Sequence, residues 1–173
     1  MIHRILILAF MATPIPVVGQ SPQARVVLER TPCFGLCPAY RLELRADGAV
    51  TFEGLNRYAK KTAIKQVGPS AVDSLAAYLD RAGFFSLSDS YTPGLAGCRQ
   101  HPTDHPSFRL TLIRGGRTKT IEYYYGCLGD TIADSPDSVM NALHHQTGVR
   151  ALLTQMAAAV DSVAGASAWL TRP

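Results

Sequence analysis

The sequence predicts an α+β domain: one antiparallel sheet of about five to six strands, with two main helices packed on one face. Three observations predict this class. Segments that alternate between apolar and polar residues fall into two groups, at 25–67 and 108–125. A segment with helical spacing of its apolar residues follows each group. Turn-forming Gly, Pro and Asp residues separate the segments, and no internal repeat is present.

The first two segments are predicted to be strands. Residues 25–31 alternate loosely between apolar and polar types, whereas residues 39–46 alternate cleanly. The apolar members of the second segment share one face: Tyr40, Leu42 and Leu44. This pattern is typical of a strand that is buried on one side.

The third strand, 49–54, returns from a turn at Asp47-Gly48, and its register can be derived. A three-residue loop pairs apolar with apolar positions: Leu44 with Val50, Leu42 with Phe52, and Tyr40 with Gly54. A two-residue loop would turn the apolar residues of 49–54 onto the charged face, because a slip of one residue reverses every side chain. We therefore expect a type I turn followed by Gly48 in the left-handed conformation, which forms a G1 bulge.

Residues 58–67 form a weaker strand whose lysines suit a sheet edge: Lys60, Lys61 and Lys65. A helix then follows Gly68-Pro69, with Ser70 and Asp73 resembling a capping box. Its apolar residues recur at helical spacing: Val72, Leu75, Leu79 and Ala82. Gly83 is a natural end for this helix.

The second half of the chain predicts a hairpin and a long helix. The two-residue Gly115-Gly116 loop fixes the hairpin pairs: Phe108 with Tyr123, Leu110 with Ile121, and Leu112 with Lys119. A helix is expected from Ser135-Pro136 to about Ala164, with Gly148 as a point where it could split. Trp169, the only tryptophan, is predicted to anchor the tail on the core.

The N-terminus has the layout of a secretory signal peptide. Residues 1–19 combine a short basic region with an eight-residue apolar run, and a small residue precedes the predicted cleavage between Gly19 and Gln20. The run is too short to span a bilayer, and no other stretch provides a transmembrane segment in the mature chain. We expect an exported protein of the periplasm or cell exterior, with a linker at 20–24 and one domain at 25–170.

Charge argues against nucleic acid as a partner. The formal net charge is +4, but the 17 Lys and Arg residues form no concentrated stripe. Charged residues make up 17% of the chain and apolar residues 47%, which excludes disorder as the dominant state.

The chain has four cysteines, an even number, which in an exported protein predicts two disulfides. We favour the pairs Cys33–Cys37 and Cys98–Cys127, because the second pair joins the two ends of the predicted 108–125 hairpin. Crossed pairings stay open, since four cysteines allow three connectivities.

The stretch Cys33-Phe34-Gly35-Leu36-Cys37-Pro38 also resembles the copper site of Sco-type assembly proteins. Soft thiolates select Cu(I), and His101 or His105 could complete such a site. The resemblance is incomplete, because Cys37 leads here into an alternating strand and not into a helix. We therefore expect a structural disulfide with no metal or cofactor, and keep copper or thiol-redox handling as the alternative.

The sequence contains no motif of nucleophilic, phosphate-binding or zinc-dependent catalysis, and we assign no catalytic residue. Because a site can be assembled from scattered residues, an enzyme stays open, although we favour none.

Taken together, the residues resemble an uncharacterised bacterial family, the domain of unknown function 6438, over residues 24–170. The carrying features are the strand 26–30, the block Cys33-x-Gly35-x-Cys37-Pro38-x-Tyr40, the Asp47-Gly48 turn, Phe52-x-Gly54, the helix from Ser70, Phe84-Phe85, Tyr91, Asp104, Val160-Asp161 and Trp169. The resemblance implies an exported bacterial domain and supplies no catalytic residues. The favoured function is a non-enzymatic binding or structural module of the cell envelope, whose loops 32–38 and 92–105 contact an unknown ligand or envelope protein.

Overall fold

The computed structural model describes residues 24–95, 98, 101–127 and 136–171, and within 136–147 it describes the backbone only. The chain is an α+β domain. Its strands are β1 (Arg25–Arg30), β2 (Tyr40–Arg45), β3 (Ala49–Gly54), β4 (Thr62–Gln66), β5 (Ser90–Tyr91), β6 (Ser107–Arg114) and β7 (Arg117–Tyr124). The helices are α1 (Pro69–Arg81) and α2 (Pro136–Ala164), with short 3-10 helices at Phe84–Ser86 and Ala166–Trp169.

The sheet corrects the predicted strand count and direction. It has seven strands in the order β4-β3-β2-β1-β6-β7-β5, and it is mixed, not antiparallel with five to six strands. The missed strand is β5, which pairs in parallel with β7 through Ser90 and Tyr91. Two residues are too few to show an alternating pattern, so no periodicity could reveal this strand.

Both predicted hairpins have the expected registers. Leu44 lies opposite Val50, and Tyr40 opposite Gly54. Gly48 has φ +83° and donates its N–H to the Arg45 carbonyl at 2.8 Å, which closes the turn. The second hairpin has the predicted pairs, among them Phe108 with Tyr123. Burial of one face of each strand is what selects these registers.

The start of α1 differs from the predicted capping box. The helix begins at Pro69, is preceded by Gly68 in an extended conformation, and has no side-chain cap. Proline suits the first helical position because its missing N–H would have no intrahelical partner there. Asp73 is therefore not needed at the terminus, and it accepts a hydrogen bond from Arg114 at 2.6 Å. Gly83, with φ +84°, follows the end of the helix as predicted.

Helix α2 begins at Pro136 as predicted, and it continues through Gly148 without splitting. A glycine in a helix costs about 1 kcal/mol relative to alanine. The second half of α2 offsets that cost by packing on the core through five buried residues: Leu153, Met156, Ala157, Val160 and Ala164. Beyond the helix, the ring of Trp169 contacts Phe52, with ring centroids 5.0 Å apart.

The core lies on one face of the sheet, where both helices pack. The opposite face is polar, and ion pairs between neighbouring strands cross it, such as Arg25–Glu43 and Arg109–Glu122. Strand β4 forms one edge of the sheet as expected, but it is shorter than the predicted 58–67 segment, and of the three lysines only Lys65 lies in it. No helix in the described ranges is both long enough and apolar enough to cross a bilayer.

Candidate functional site

An open groove of about 560 Å³ lies at one end of the sheet. Its walls come from the ends of β1 and β7, the loop after β1, the start of β6, α2, and the segment that follows α2. Residues from each wall face it: Arg30, Leu36, Pro106, Tyr125, Arg150 and Leu170. Part of both loops expected to bind a ligand therefore lies here.

An arginine on the core-facing side of the sheet organises the groove. Strand β1 alternates, so Arg30 follows the buried Val26 and Leu28 on the same face. In the sheet register, Arg30 lies between Tyr40 on β2 and Phe108 on β6. A charged side chain in this position requires a partner, because burial of an unpaired charge is very unfavourable.

The partner is Asp161 on α2. The Arg30 side chain donates from Nη2 at 2.6 Å and from Nε at 3.1 Å, both to Oδ2 of Asp161. The other carboxylate oxygen, Oδ1, accepts the hydroxyl of Tyr40 at 2.8 Å. Both side chains of the pair are largely buried, with 17% and 24% of their surface exposed. We call Arg30, Asp161, Tyr40 and Tyr125 the arginine cluster.

Burial and charge shift the pKa values in the arginine cluster in consistent directions. Burial alone would lower the pKa of Arg30, but the carboxylate of Asp161 and the two tyrosines raise it above its ordinary value. Burial raises the pKa of Tyr40 above its ordinary value, and the neighbouring Arg30 opposes this only in part. At neutral pH the arginine is therefore charged and this phenol is neutral.

Aromatic rings surround the cation. The guanidinium carbon of Arg30 lies 5.9–6.0 Å from the ring centroids of Tyr40, Phe108 and Tyr125. At this distance, the negative faces of aromatic rings attract a cation. The three rings and the carboxylate fix the guanidinium in one position.

Tyr125 gives the arginine cluster a hydrogen-bond donor that it does not use itself. The Tyr125 hydroxyl accepts a hydrogen bond from Nη1 of Arg30 at 2.6 Å. A phenol has one proton to donate, and no acceptor for it occurs among the described residues. This proton is available to a molecule in the groove.

The remaining walls of the groove are largely apolar. They include Leu36, Pro38, Pro106 and Leu170. Leu36 is 58% exposed, and Phe34, two positions earlier in the same loop, is 89% exposed. Exposed apolar side chains that adjoin a concave surface commonly mark a binding site.

The two walls contributed by loops are fixed to each other. The hydroxyl of Thr31 accepts the Ser107 N–H at 2.7 Å, and the Thr31 N–H donates to the Ser107 carbonyl at 2.9 Å. The Phe34 N–H donates to the carbonyl of Asp104, which adopts φ +73°. Asn56 holds the end of the first loop by donating to the Cys37 carbonyl at 2.8 Å. The groove is therefore formed before any ligand arrives.

The cysteines form the pairs Cys33–Cys37 and Cys98–Cys127, which is the connectivity favoured from the sequence. The first disulfide closes the loop that carries Phe34 and Leu36. Its sulfurs are not thiolates in this form, so the suggested copper ligation would first require reduction.

The two histidines proposed to assist copper, His101 and His105, each have their ring centroid 6.3 Å from that of Tyr124. Of the pair, only His105 lines the groove. Among the residues that the structure describes, no group of three or more His, Cys, Asp and Glu side chains could hold a metal ion.

A second cavity lies beside the 3-10 helix at Phe84–Ser86, and its cations are already paired. Lys119 contacts Asp89 at 2.7 Å, and Arg117 donates to both carboxylate oxygens of Asp80. Arg117 also covers the ring of Phe85. This surface offers less unused binding capacity than the groove.

Three groups that define the groove were not predicted from the sequence: Arg30, Tyr125 and Arg150. One signal was readable for Arg30, since the alternation of β1 places a charged residue on the apolar face. Asp161 appeared only in the family resemblance, with no role. The predicted signal peptide and its cleavage site at Gly19 and Gln20 lie outside the described residues.

The chain is similar to a known protein family. A family model described as "Domain of unknown function (DUF6438)" matches residues 24–146. No curated protein matches the chain. The matched range contains β1 to β7, and it ends before Arg150 and Asp161.

Proposed function

The chain belongs to the DUF6438 family, and from this premise we propose that it is a non-catalytic binding module whose ligand occupies the groove. One observation carries the proposal: a largely buried, internally paired arginine cluster forms one wall of an open and otherwise largely apolar groove. Small-molecule sites typically combine an apolar lining with a few fixed polar groups.

The pairing within the arginine cluster favours binding over catalysis. A general base needs a free lone pair near its substrate, and a nucleophile needs a base beside it. Here both oxygens of Asp161 accept hydrogen bonds from within the cluster, and the Tyr40 proton is donated to Asp161. The side chains of the arginine cluster therefore use these hydrogen bonds to fix one another in place, and not to activate a substrate.

We place this module in the cell envelope, outside the cytoplasm, with the predicted signal peptide removed. Two disulfides are compatible with an oxidising compartment. Mass spectrometry of the protein recovered from the periplasm or medium tests this part. We expect a mature chain that begins at Gln20, and an intact N-terminus in the cytoplasm would contradict it.

A fragment screen by NMR tests the binding function. We expect weak binders that shift resonances of groove residues, and Leu36→Gln should reduce their affinity. Leu55→Gln is the matched control, because Leu55 is similarly exposed, at 49%, and does not line the groove. Absence of any groove binder, or turnover of a substrate by the pure protein, would contradict the proposal.

The proposal includes no resident cofactor. Tight stoichiometric binding of Cu(I) by the reduced protein, lost in a Cys33→Ser variant, would favour the copper-handling alternative instead.

A further inference from the structure

We propose that the ligand of the groove is a small molecule with an apolar body and a single carboxylate group. This inference rests on the proposed function, and it names the chemical class that the groove selects. Four features of the groove support it: its acid is neutralised, a proton is left to donate, a cation remains, and the rest of the lining is apolar.

Asp161 is the one acidic side chain among the described residues that line the groove. Its charge is balanced by Arg30, and its two oxygens accept three hydrogen bonds from Arg30 and Tyr40. It therefore has little capacity left to attract a cationic ligand, and it contributes almost no net negative field together with its partner.

The phenol of Tyr125 has a proton that it can donate to a ligand. Because its oxygen accepts from Arg30, its proton must point away from the guanidinium. A hydrogen bond to a charged acceptor is roughly twice as strong as one to a neutral acceptor. The contact with the guanidinium also makes the phenol a better donor, since hydrogen bonds in series polarise one another.

Besides the paired Arg30, the groove contains a second arginine, Arg150. Arg150 on α2 lines the groove and is exposed, and it forms no ion pair with any other described residue. His105, on the opposite wall, offers a further imidazole donor. With the Arg30–Asp161 pair neutral, the described residues leave one unpaired charge in the groove, the positive charge of Arg150, which complements an anion.

The volume and the lining of the groove suit a small molecule that is mostly apolar. A volume of about 560 Å³ lies within the range of about 300–1,000 Å³ found for small-molecule pockets. Leu36, Pro38, Pro106 and Leu170 supply an apolar surface for the rest of the ligand. A highly charged ligand would offer these side chains no apolar surface to contact. We therefore infer a ligand with only one anionic group.

Three probes with the same body test the class: cyclohexanecarboxylate, cyclohexylmethanol and cyclohexylmethylamine. NMR titration of the full mature protein gives the affinity and the location of each. We expect the carboxylate to bind about tenfold more tightly than the alcohol, and the amine to bind most weakly. The preference for the carboxylate should decrease as salt is added.

Variants assign the preference to residues. Arg150→Gln should lower the affinity for the carboxylate about fivefold and leave that for the alcohol nearly unchanged. Tyr125→Phe should lower the affinity for the carboxylate more than the affinity for the alcohol. Arg81→Gln is the matched control, because Arg81 is an exposed arginine in the last turn of α1, away from the groove, and should change neither affinity.

The outcomes separate this inference from the proposed function. Equal affinities for the three probes, or a preference for the amine, would overturn the carboxylate class while groove binding stands. An unchanged carboxylate affinity in Arg150→Gln would overturn it as well. If the fragment library also yields no groove binder, the proposed function itself is wrong.

Discussion

Arg30 and Asp161 are 131 positions apart in the chain, and they form the contact that joins the first strand to the last long helix. The guanidinium donates twice to one carboxylate oxygen, and the other oxygen is held by Tyr40. This contact fixes α2 across one end of the sheet, so the stability of the fold and the shape of the groove depend on the same atoms.

The replacement Asp161→Asn should destabilise the protein by about 2–3 kcal/mol, because it leaves the Arg30 charge buried without a counter-ion. Urea unfolding followed by circular dichroism measures the change. Asp73→Asn is the matched control: its contact with Arg114 has the same 2.6 Å distance, but Asp73 is 69% exposed. The control should cost less than about 1 kcal/mol. Equal losses for both variants would show that burial does not matter here.

Two buried tyrosines should respond oppositely to loss of the hydroxyl. Tyr40 donates to Asp161, whereas the Tyr123 hydroxyl is buried with no hydrogen-bond partner among the described residues. Tyr40→Phe should cost about 1–2 kcal/mol, since it removes a hydrogen bond to a charged group. Tyr123→Phe should leave stability unchanged or raise it by up to about 1 kcal/mol. Thermal unfolding of both variants checks this, and a greater loss in Tyr123→Phe would contradict it.

Alkaline pH should destabilise the fold. Burial raises the pKa values of Tyr40 and Tyr123 above their ordinary value of 10.0. Above that pH the unfolded chain releases these protons and the folded chain keeps them, so the free energy of unfolding falls as pH rises. Each group contributes up to about 1.4 kcal/mol per pH unit while this difference lasts.

Unfolding curves recorded between about pH 9 and about pH 11 measure that decline. Tyr40→Phe removes one of the two groups, so the free energy of unfolding should fall less steeply in the variant than in the natural chain. Parallel pH profiles for the two proteins would contradict the assignment to Tyr40.

The two disulfides should contribute unequally to stability. Cys98–Cys127 joins residues 29 positions apart, whereas Cys33–Cys37 joins residues only 4 apart. Loop-closure entropy predicts a loss of about 3–4 kcal/mol when both Cys98 and Cys127 are changed to Ala, and about 2 kcal/mol for the short loop. Chemical denaturation of the two double variants tests the order, and a greater loss for the short loop would contradict it.

Two glycines with the same backbone conformation should differ in their tolerance of alanine. Gly48 has φ +83° and Gly83 has φ +84°. At Gly83 an added Cβ meets nothing, so alanine should cost about 1–2 kcal/mol for the left-handed conformation alone. At Gly48 the Cβ would collide with the Val67 carbonyl, so the loss should be clearly larger. Equal losses, measured by urea unfolding, would show that the turn can move away.

The hairpins were predictable because burial acts on every second residue and thereby fixes the register from local sequence. Gly48 is the best example, since only one loop length kept Val50 and Phe52 on the apolar face. The opening of α1 at Gly68-Pro69 was predicted correctly, but the capping box was not, because the helix begins at Pro69 and has no side-chain cap. Strand β5 was missed because two residues are too few to show an alternation of apolar and polar side chains.

The groove was less predictable than the fold. The position of Arg30 on an apolar face could be read from β1, but its partner lies at a sequence distance that no local pattern encodes. Tyr125 could be assigned to the core-facing side, yet its unused proton depends on the contact with Arg30. Such a site exists only once distant segments have met.

The position of Asp161 beyond residue 146 has a practical consequence for anyone who trims this protein to the matched range. A fragment that stops at residue 146 would lack the counter-ion of Arg30, the aromatic cover of Phe52, and the apolar stripe that shields β1. Such a shortened protein would leave the Arg30 charge unpaired and would expose apolar residues of the sheet to solvent. A shortened form should therefore extend at least through Leu170.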